Sequence, residues 1–339
     1  MGFELDWMDE NEMVALEAVK RETDPVKLRE IAKNAPHYLA RKEAIKKLID
    51  QNMLFDIIKN DDDPDVRDAA FLWLSDQKLL SDIAKNNDDP HMRNRAVWQL
   101  VDQSMLADIA KNDSAEWVRR NAIEKLVDQS VLADIAKNDT DRYMRQKAVH
   151  NLTDQTVLMG IFKSNDDDSV RREAVCHLTD QTILADIAKK HADPSMREAA
   201  VGNLTDQTLL VGIAKNDEAE CVRREAVRHL TDQTVLMGIF KSNDTKHVRG
   251  DAVRHFTDQT LLADIAKNNE DSWIRNRAVA ALTNQAVLAD IAKNDVSEDV
   301  RQRAVGNLID KIILADIAKH EKNYLTRTIA ANRAQNDEL

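Results

Sequence analysis

The sequence predicts an all-α fold, an α-solenoid (superhelix) of about twelve two-helix repeats of 26 residues each. Three observations carry this prediction. The pair Asp-Gln recurs at 50, 76, 102, 128, 154, 180, 206, 232 and 258, with Asn284-Gln285 following in register and no insertion between. Apolar residues fall at i, i+3 and i+4 spacing twice within every repeat. The 339 residues include only 7 Gly and 5 Pro, too few for a loop-rich β protein or a disordered linker.

Positions are numbered from zero at the recurring Asp. Residues 1–23 are read as an N-terminal cap containing a half repeat, in which Val14, Ala18 and Val19 match the second half of the pattern. Residues 24–335 hold the twelve repeats, from Asp24-Pro25 to Asp310-Lys311, the last a degenerate C-terminal cap, and 336–339 form a tail. The first helices are apolar at positions 3, 4, 7 and 8, Lys27 at position 3 of the first repeat excepted, with Leu at 4 (Leu28 to Leu314) and Ile at 7 (Ile31 to Ile317). A polar turn follows, such as Asn60-Asp61-Asp62-Asp63. The second helix is apolar at 20, 21 and 24 and almost throughout at 16, with Ala at 20 from Ala44 to Ala330. Asp63-Pro64, Asp89-Pro90 and Asp193-Pro194 each place an N-cap acceptor before a proline at the first helical position, and Asp24-Pro25 does so for the first repeat. Helices of about ten residues are marginal alone in water. Neighbouring repeats must therefore stack to bury their stripes in one continuous core.

The string Val131-Leu-Ala-Asp-Ile-Ala-Lys-Asn138, followed by Val-Arg-x-x-Ala-Val-x-x-Leu, resembles the HEAT-like α-helical repeats. It is equally similar to the leucine-rich repeat variant, whose units read Leu-x-x-Leu-Ala-x-Asp and then Val-Arg. The resemblance spans residues 14 to about 335. A period of 26 is shorter than that of ordinary HEAT repeats and slightly longer than that of the variant, leaving the second element open between α-helix and partly 3₁₀. The resemblance implies binding of a protein or ligand on a curved surface rather than catalysis, and it supplies no catalytic residues.

Position 17 is Arg in every repeat, and a helical wheel puts it inside the buried arc of the second helix. A charge there needs a partner. Arg67, Arg93, Arg119, Arg145, Arg171, Arg197, Arg223, Arg249, Arg275 and Arg301, with Arg41 and Arg327 at the ends, are accordingly expected to form a structural ladder. The turn acids Asp63, Asp89, Asp141, Asp167 and Asp193 are the expected acceptors. Position 9 is Lys throughout, near the end of the first helix, where the macrodipole favours a cation.

The opposite arc of the second helix, positions 15, 18, 19 and 22, differs from repeat to repeat. Position 15 carries seven residue types and position 22 carries ten, although residues 153–166 and 231–244 are identical. Such variation fits a modular recognition surface, and neutral drift on a solvated face would also produce it. Aromatic side chains tilt the balance, since Trp and Tyr are common interface anchors. The candidate ligand-contacting residues on this concave, variable face are Leu72, His91, Trp98, Trp117, Arg120, Tyr143, His150, Arg224, Arg228, His247, Arg254 and Trp273. Trp98, Trp117 and Tyr143 come from three consecutive repeats. Arg224, Arg228, His247 and Arg254 form a local cationic group suited to an acidic peptide segment or a phosphate.

A protein or peptide is thus the expected partner of a non-enzymatic scaffold. A net charge of -12 disfavours general nucleic-acid binding, so a single strand stacked on the aromatics is the alternative. An engineered, consensus-like array without a natural ligand is another. The chain has no Gly-rich phosphate loop, nucleophile elbow or His-Glu-x-x-His string. No enzyme activity and no cofactor are expected. Cys176 has His150 one repeat earlier and His177 beside it, but adjacent helices stand about 8–10 Å apart, too far for easy shared ligation, so no metal site is expected. Two cysteines cannot form a disulfide framework. With no signal peptide and no apolar stretch of spanning length, a cytoplasmic location without membrane contact is expected. Nothing in the sequence bears on oligomeric state.

Overall fold

The computed structural model describes residues 6–48, 50–164 and 166–335. The tail expected at 336–339 and the first five residues of the cap lie outside the described residues. Among those described, every regular element is helical: 25 α-helices and one 3₁₀ turn, Asp6–Met8. They alternate as first and second helices, for example Gln103–Asn112 then Glu116–Lys125, and Gln207–Asn216 then Glu220–Arg228. The second elements are α-helices throughout, so the 3₁₀ alternative drops out. The fold is an α-solenoid of about twelve 26-residue two-helix repeats. No described helix is long and apolar enough to cross a membrane.

The Asp-Gln pair that marks the register has a physical role at each residue. The Asp caps its own helix: Asp76 Oδ1 accepts from the backbone N–H groups of Lys78 and Leu79. The Gln closes the repeat. Gln77 Nε2 donates to the carbonyl of Gln99, and its Oε1 accepts from the N–H of Val101. The chain leaving the second helix is thereby tied to the start of the first. A third polar device joins successive repeats at position 23. Asn151 Nδ2 donates to the Ile123 carbonyl, and Lys125 Nζ to the carbonyls of Trp98 and Leu100. These carbonyls lie in the last turn and C-cap of the preceding second helix, where the intrahelical donors run out.

The apolar stripes meet between the two helices of each repeat. Leu106, Ile109, Val118, Ala122, Ile123 and Leu126 are all buried, and the same positions are buried in neighbouring repeats. Neighbouring second helices approach each other more closely than neighbouring first helices do. A small Ala at position 20 permits that approach. The first helix of the chain, Glu12–Arg21, departs from its expected register. Ala15 and Val19 are buried, whereas Val14 is exposed. A half repeat lacks the first helix that would cover position 16; Trp7, from the preceding 3₁₀ turn, is buried against this end.

The residues group into two compact units, Met1–Val170 and Arg171–Leu339, and each is taken by itself.

Candidate functional site

The invariant arginines lie at the joint between repeats. In the first unit, Arg93 Nε and Nη2 donate to the two oxygens of Asp113 in the next repeat at 2.7 and 2.9 Å. Its Nη1 donates to the Asn87 and Asp88 carbonyls of its own turn. Arg41 with Asp61 and Arg145 with Asp166 repeat this fork. In the second unit Arg197, Arg223, Arg275 and Arg301 do the same with Asp217, Asp244, Asp295 and Glu321.

The acceptor is not the expected one. Asp63, Asp89 and Asp193 use a carboxylate oxygen to cap their own helices. The carboxylate one or two residues earlier in the next turn takes the arginine. Arg119, whose Nη2 lies 3.9 Å from Asp141, comes nearest to the expected pairing. Among the described residues Arg67 and Arg249 make no such fork and hold backbone alone: Arg67 the Asp61 and Asp62 carbonyls, Arg249 the Phe240 carbonyl. Arg171 is likewise engaged.

The lysines of position 9 form a second ladder on the first helices. Lys85 pairs with Asp108 at 2.7 Å, Lys267 with Asp290 at 2.6 Å and Lys293 with Asp316 at 2.6 Å. Lys33 with Asp56 and Lys111 with Asp134 do the same. Sequence reasoning assigned these lysines to the helix dipole and overlooked the Asp at position 6 of the next repeat. Gly160, Gly212 and Gly238 replace that Asp in three repeats.

Outside these ladders, the second helices carry the variable side chains. In the first unit Leu72 is 72% exposed, Tyr143 57% and Trp98 48%. Trp117 is half-buried, its ring tilted against His91 with centroids 5.1 Å apart. Arg142 stacks over Tyr143 at 4.7 Å, and Arg120 and His150 are exposed.

In several repeats position 19 is turned away from the free face. Ala69 is buried, Arg95 covers the Phe71 ring and pairs with Asp68, and in the second unit Ala199 and Asp251 are buried. An isolated wheel gives a helix one buried side. Here each second helix also touches its neighbours laterally, and position 19 lies in that seam.

In the second unit the expected cationic group is largely neutralised from within. Arg224 Nε donates to the buried Asp251 at 2.8 Å, and Arg228 pairs with Glu225 at 2.7 Å. His247 Nδ1 lies 2.9 Å from Glu220. The His247 ring meets Trp273 edge-on at 5.1 Å. Arg254 is exposed and has no partner among the described residues.

The uncompensated charge sits farther along, at Arg277 and Arg303, which sequence reasoning missed. The available signal was two arginines at position 19 of consecutive repeats. Both line a cavity of about 700 Å³ together with Trp273, Asn276 and Gln302. As for covalent chemistry, burial pushes the Cys176 thiol above its ordinary value, the reverse of what a nucleophile or metal ligand needs.

No protein-family model matches the chain. No curated protein matches it either. Among solved structures it is similar to Kap121p bound to Nup53p, with 12% identity and a TM-score of 0.39, over 97% of this chain and 48% of that one. It is similar to importin beta with 13% identity and a TM-score of 0.30, over 97% and 51%. For the Pds5-Scc1 complex the values are 13% and 0.28, over 96% and 64%. The chain spans about half the length of the first two. The likeness is one of fold.

Proposed function

We propose that the chain is a non-enzymatic scaffold that holds a protein or peptide along the variable face of its second helices. The observation that carries this reading is the run Trp98, Trp117 and Tyr143 on three consecutive repeats, the outer two about half exposed. The polar scaffold around them is satisfied internally by the arginine forks, the lysine pairs and the glutamine clamps. This face offers Leu72, Arg120 and His150 to solvent, and Trp98 and Tyr143 supply its aromatic surface.

A Trp or Tyr carries about 150–250 Å² of surface, and burial stabilises by about 25 cal/mol per Å² of apolar area. Two half-exposed rings and Leu72 therefore bring a few kcal/mol to a contact before ordering costs. The closer approach of neighbouring second helices supports placing this face on the inner side of the stack within each unit. Side chains that change every 26 residues on a repeated backbone suit an extended segment read repeat by repeat.

The test is a displayed peptide library selected on the intact protein, with affinities measured for wild type and for the variant Trp98→Ala, Trp117→Ala, Tyr143→Ala. A drop of about tenfold or more, with helical content unchanged, supports the reading. Equal affinities reject this patch. Binding of single-stranded oligonucleotides that falls steeply with salt would replace the reading with the nucleic-acid alternative.

A further inference from the structure

We infer that the cavity at Arg277 and Arg303 is a pocket for a phosphorylated side chain of a bound peptide. This rests on the scaffold reading above and adds the chemistry of one subsite in the second unit. The cavity of about 700 Å³ lies between second helices and is lined by Trp273, Asn276, Arg277, Gln302, Arg303 and Gly306. No neighbouring atom lies within 4 Å of where a Cβ on Gly306 would stand, so the cavity is open at that wall.

Arg277 is the centre of the argument. Its guanidinium carbon lies over the Trp273 ring, 4.3 Å from the centroid, a contact that holds the cation against the indole while its N–H donors remain available to an acceptor. Its Nε is buried and has no hydrogen-bond partner, and the side chain makes no ion pair among the described residues. A half-buried arginine without an acceptor is costly. Most of the ladder arginines are given a carboxylate, as Arg275 is by Asp295 and Arg197 by Asp217. Arg67 and Arg249 hold backbone carbonyls, and Arg333, whose Nε is also unpartnered, still donates to the Leu308 carbonyl. Burial works against the Arg277 charge, Arg254 repels it, Asp251 favours it, and Arg224 and Arg303 repel it further.

The charges near the cavity call for a dianion. Arg303 has one long hydrogen bond, 3.4 Å, to Asn276 Oδ1, and Arg254 stands unpaired. On the acidic side, Asp251 is already bound by Arg224, and Asp299 at the cavity wall makes no ion pair with either arginine among the described residues. At the cavity wall Arg277 and Arg303 stand against Asp299, and Arg254 lies outside the lining but close enough to act on Arg277. That leaves positive charge for a phosphate monoester, a group that carries about -1.5 to -2 at neutral pH and accepts hydrogen bonds at three oxygens. The cavity also exceeds the size of a bare phosphate and has room for the side chain that bears it. A nucleobase is disfavoured because the Trp273 ring is covered by Arg277 and flanked by the edge-on His247, leaving no free aromatic face on which to stack.

The experiment compares degenerate fluorescent peptides with a fixed phosphoserine or phosphotyrosine against their unphosphorylated counterparts, by anisotropy, on the full chain. Inorganic phosphate and adenosine monophosphate serve as competitors. The phosphorylated sets are expected to bind about tenfold tighter, and Arg277→Gln and Arg303→Gln to remove that preference while circular dichroism is unchanged. Arg277→Lys is expected not to restore it, because an ammonium lacks the planar fork.

Equal binding with and without the phosphate overturns the inference. So does binding of an adventitious ion only, seen as inorganic phosphate bound without phosphopeptide preference, or adenosine monophosphate binding tighter than the phosphopeptides. If peptides still bind but ignore phosphorylation, the scaffold reading survives and only this pocket fails. If the aromatic triple variant binds peptide as well as wild type, the first-unit patch fails on its own.

Discussion

A Cβ placed on Gly250 would overlap the six-membered ring of Trp273 in the next repeat. Position 18 is Gly in no other repeat. The absence of a side chain is therefore a matter of space: it lets the edge of the Trp273 indole close against the neighbouring helix while Arg277 lies over its ring. Gly250→Ala is expected to push the indole aside and weaken phosphopeptide binding by about tenfold, roughly what the loss of one oriented charged hydrogen bond costs. Gly212→Ala is the control. Nothing lies within 4 Å of its Cβ site, so it should stabilise the fold by about 0.5–1 kcal/mol through helix propensity and leave binding unchanged. Denaturation midpoints and anisotropy titrations separate the two.

The arginine ladder makes unequal contributions along the chain. Arg197 is buried, forks onto Asp217 and holds two backbone carbonyls of its own turn. Arg67 keeps two carbonyls but faces Asn87 in place of an acid. Arg197→Met is expected to cost about 3 kcal/mol, because it strands a largely buried carboxylate. Arg67→Met should cost about 1 kcal/mol. Urea titrations followed by circular dichroism test the order; equal effects would show that the carboxylate fork adds nothing beyond the carbonyl bonds.

Much of the fold was legible because stacking repeats a single solution: the spacing recurs without exception, the first-helix caps do so from repeat to repeat, and the core positions do with few exceptions such as Thr326 at position 16. Leu at position 4 and Ala at position 20 could be placed before any coordinates. The failures share one cause. A periodic sequence shows what each repeat contains, not which side chain of the next repeat it meets. Asp113 rather than Asp141 or Asp89 receives an arginine fork because stacking offsets the turns. Asp108 meets Lys85 for the same reason. The functional reading suffered most where a contact departs from the average repeat. Arg224 and Arg228 were expected to be open to a ligand, but Asp251 between the helices takes the first and Glu225 the second, and the repeat pattern carries no sign that Arg277 lacks an acceptor.

The lysine ladder predicts an acid limb of stability. The hydrogen bond from Lys85 holds the Asp108 carboxyl below its ordinary value, helped by Asn112, and Lys111 with Asn138 does so for Asp134. A carboxyl whose folded pKa is depressed stabilises the fold above its unfolded value, near 4. That contribution fades as pH falls from there through the folded pKa. Thermal midpoints should therefore be flat near neutrality and drop below about pH 4. Asp108→Asn should lower the neutral plateau slightly and make the acid limb shallower. High salt should shrink the difference, since these pairs are partly exposed. A variant with an unaltered acid limb would count against the ladder as a source of stability.

Trp98 separates scaffold from surface. Its side chain is 48% exposed, and the recorded bond at this residue runs from Lys125 Nζ to its backbone carbonyl, which any substitution retains. Trp98→Ala should therefore change stability by only about 0.5 kcal/mol. Leu106, fully buried at position 4 of the following repeat, gives the contrast: Leu106→Ala should cost about 2–5 kcal/mol. In binding the order should reverse. Trp98→Ala removes apolar surface that a partner would cover and should weaken a selected peptide by about tenfold. Leu106→Ala, at a temperature where it is still folded, should leave that affinity within about twofold. If Trp98→Ala instead destabilises the fold and leaves affinity unchanged, the indole packs on the array itself and the aromatic run is scaffold.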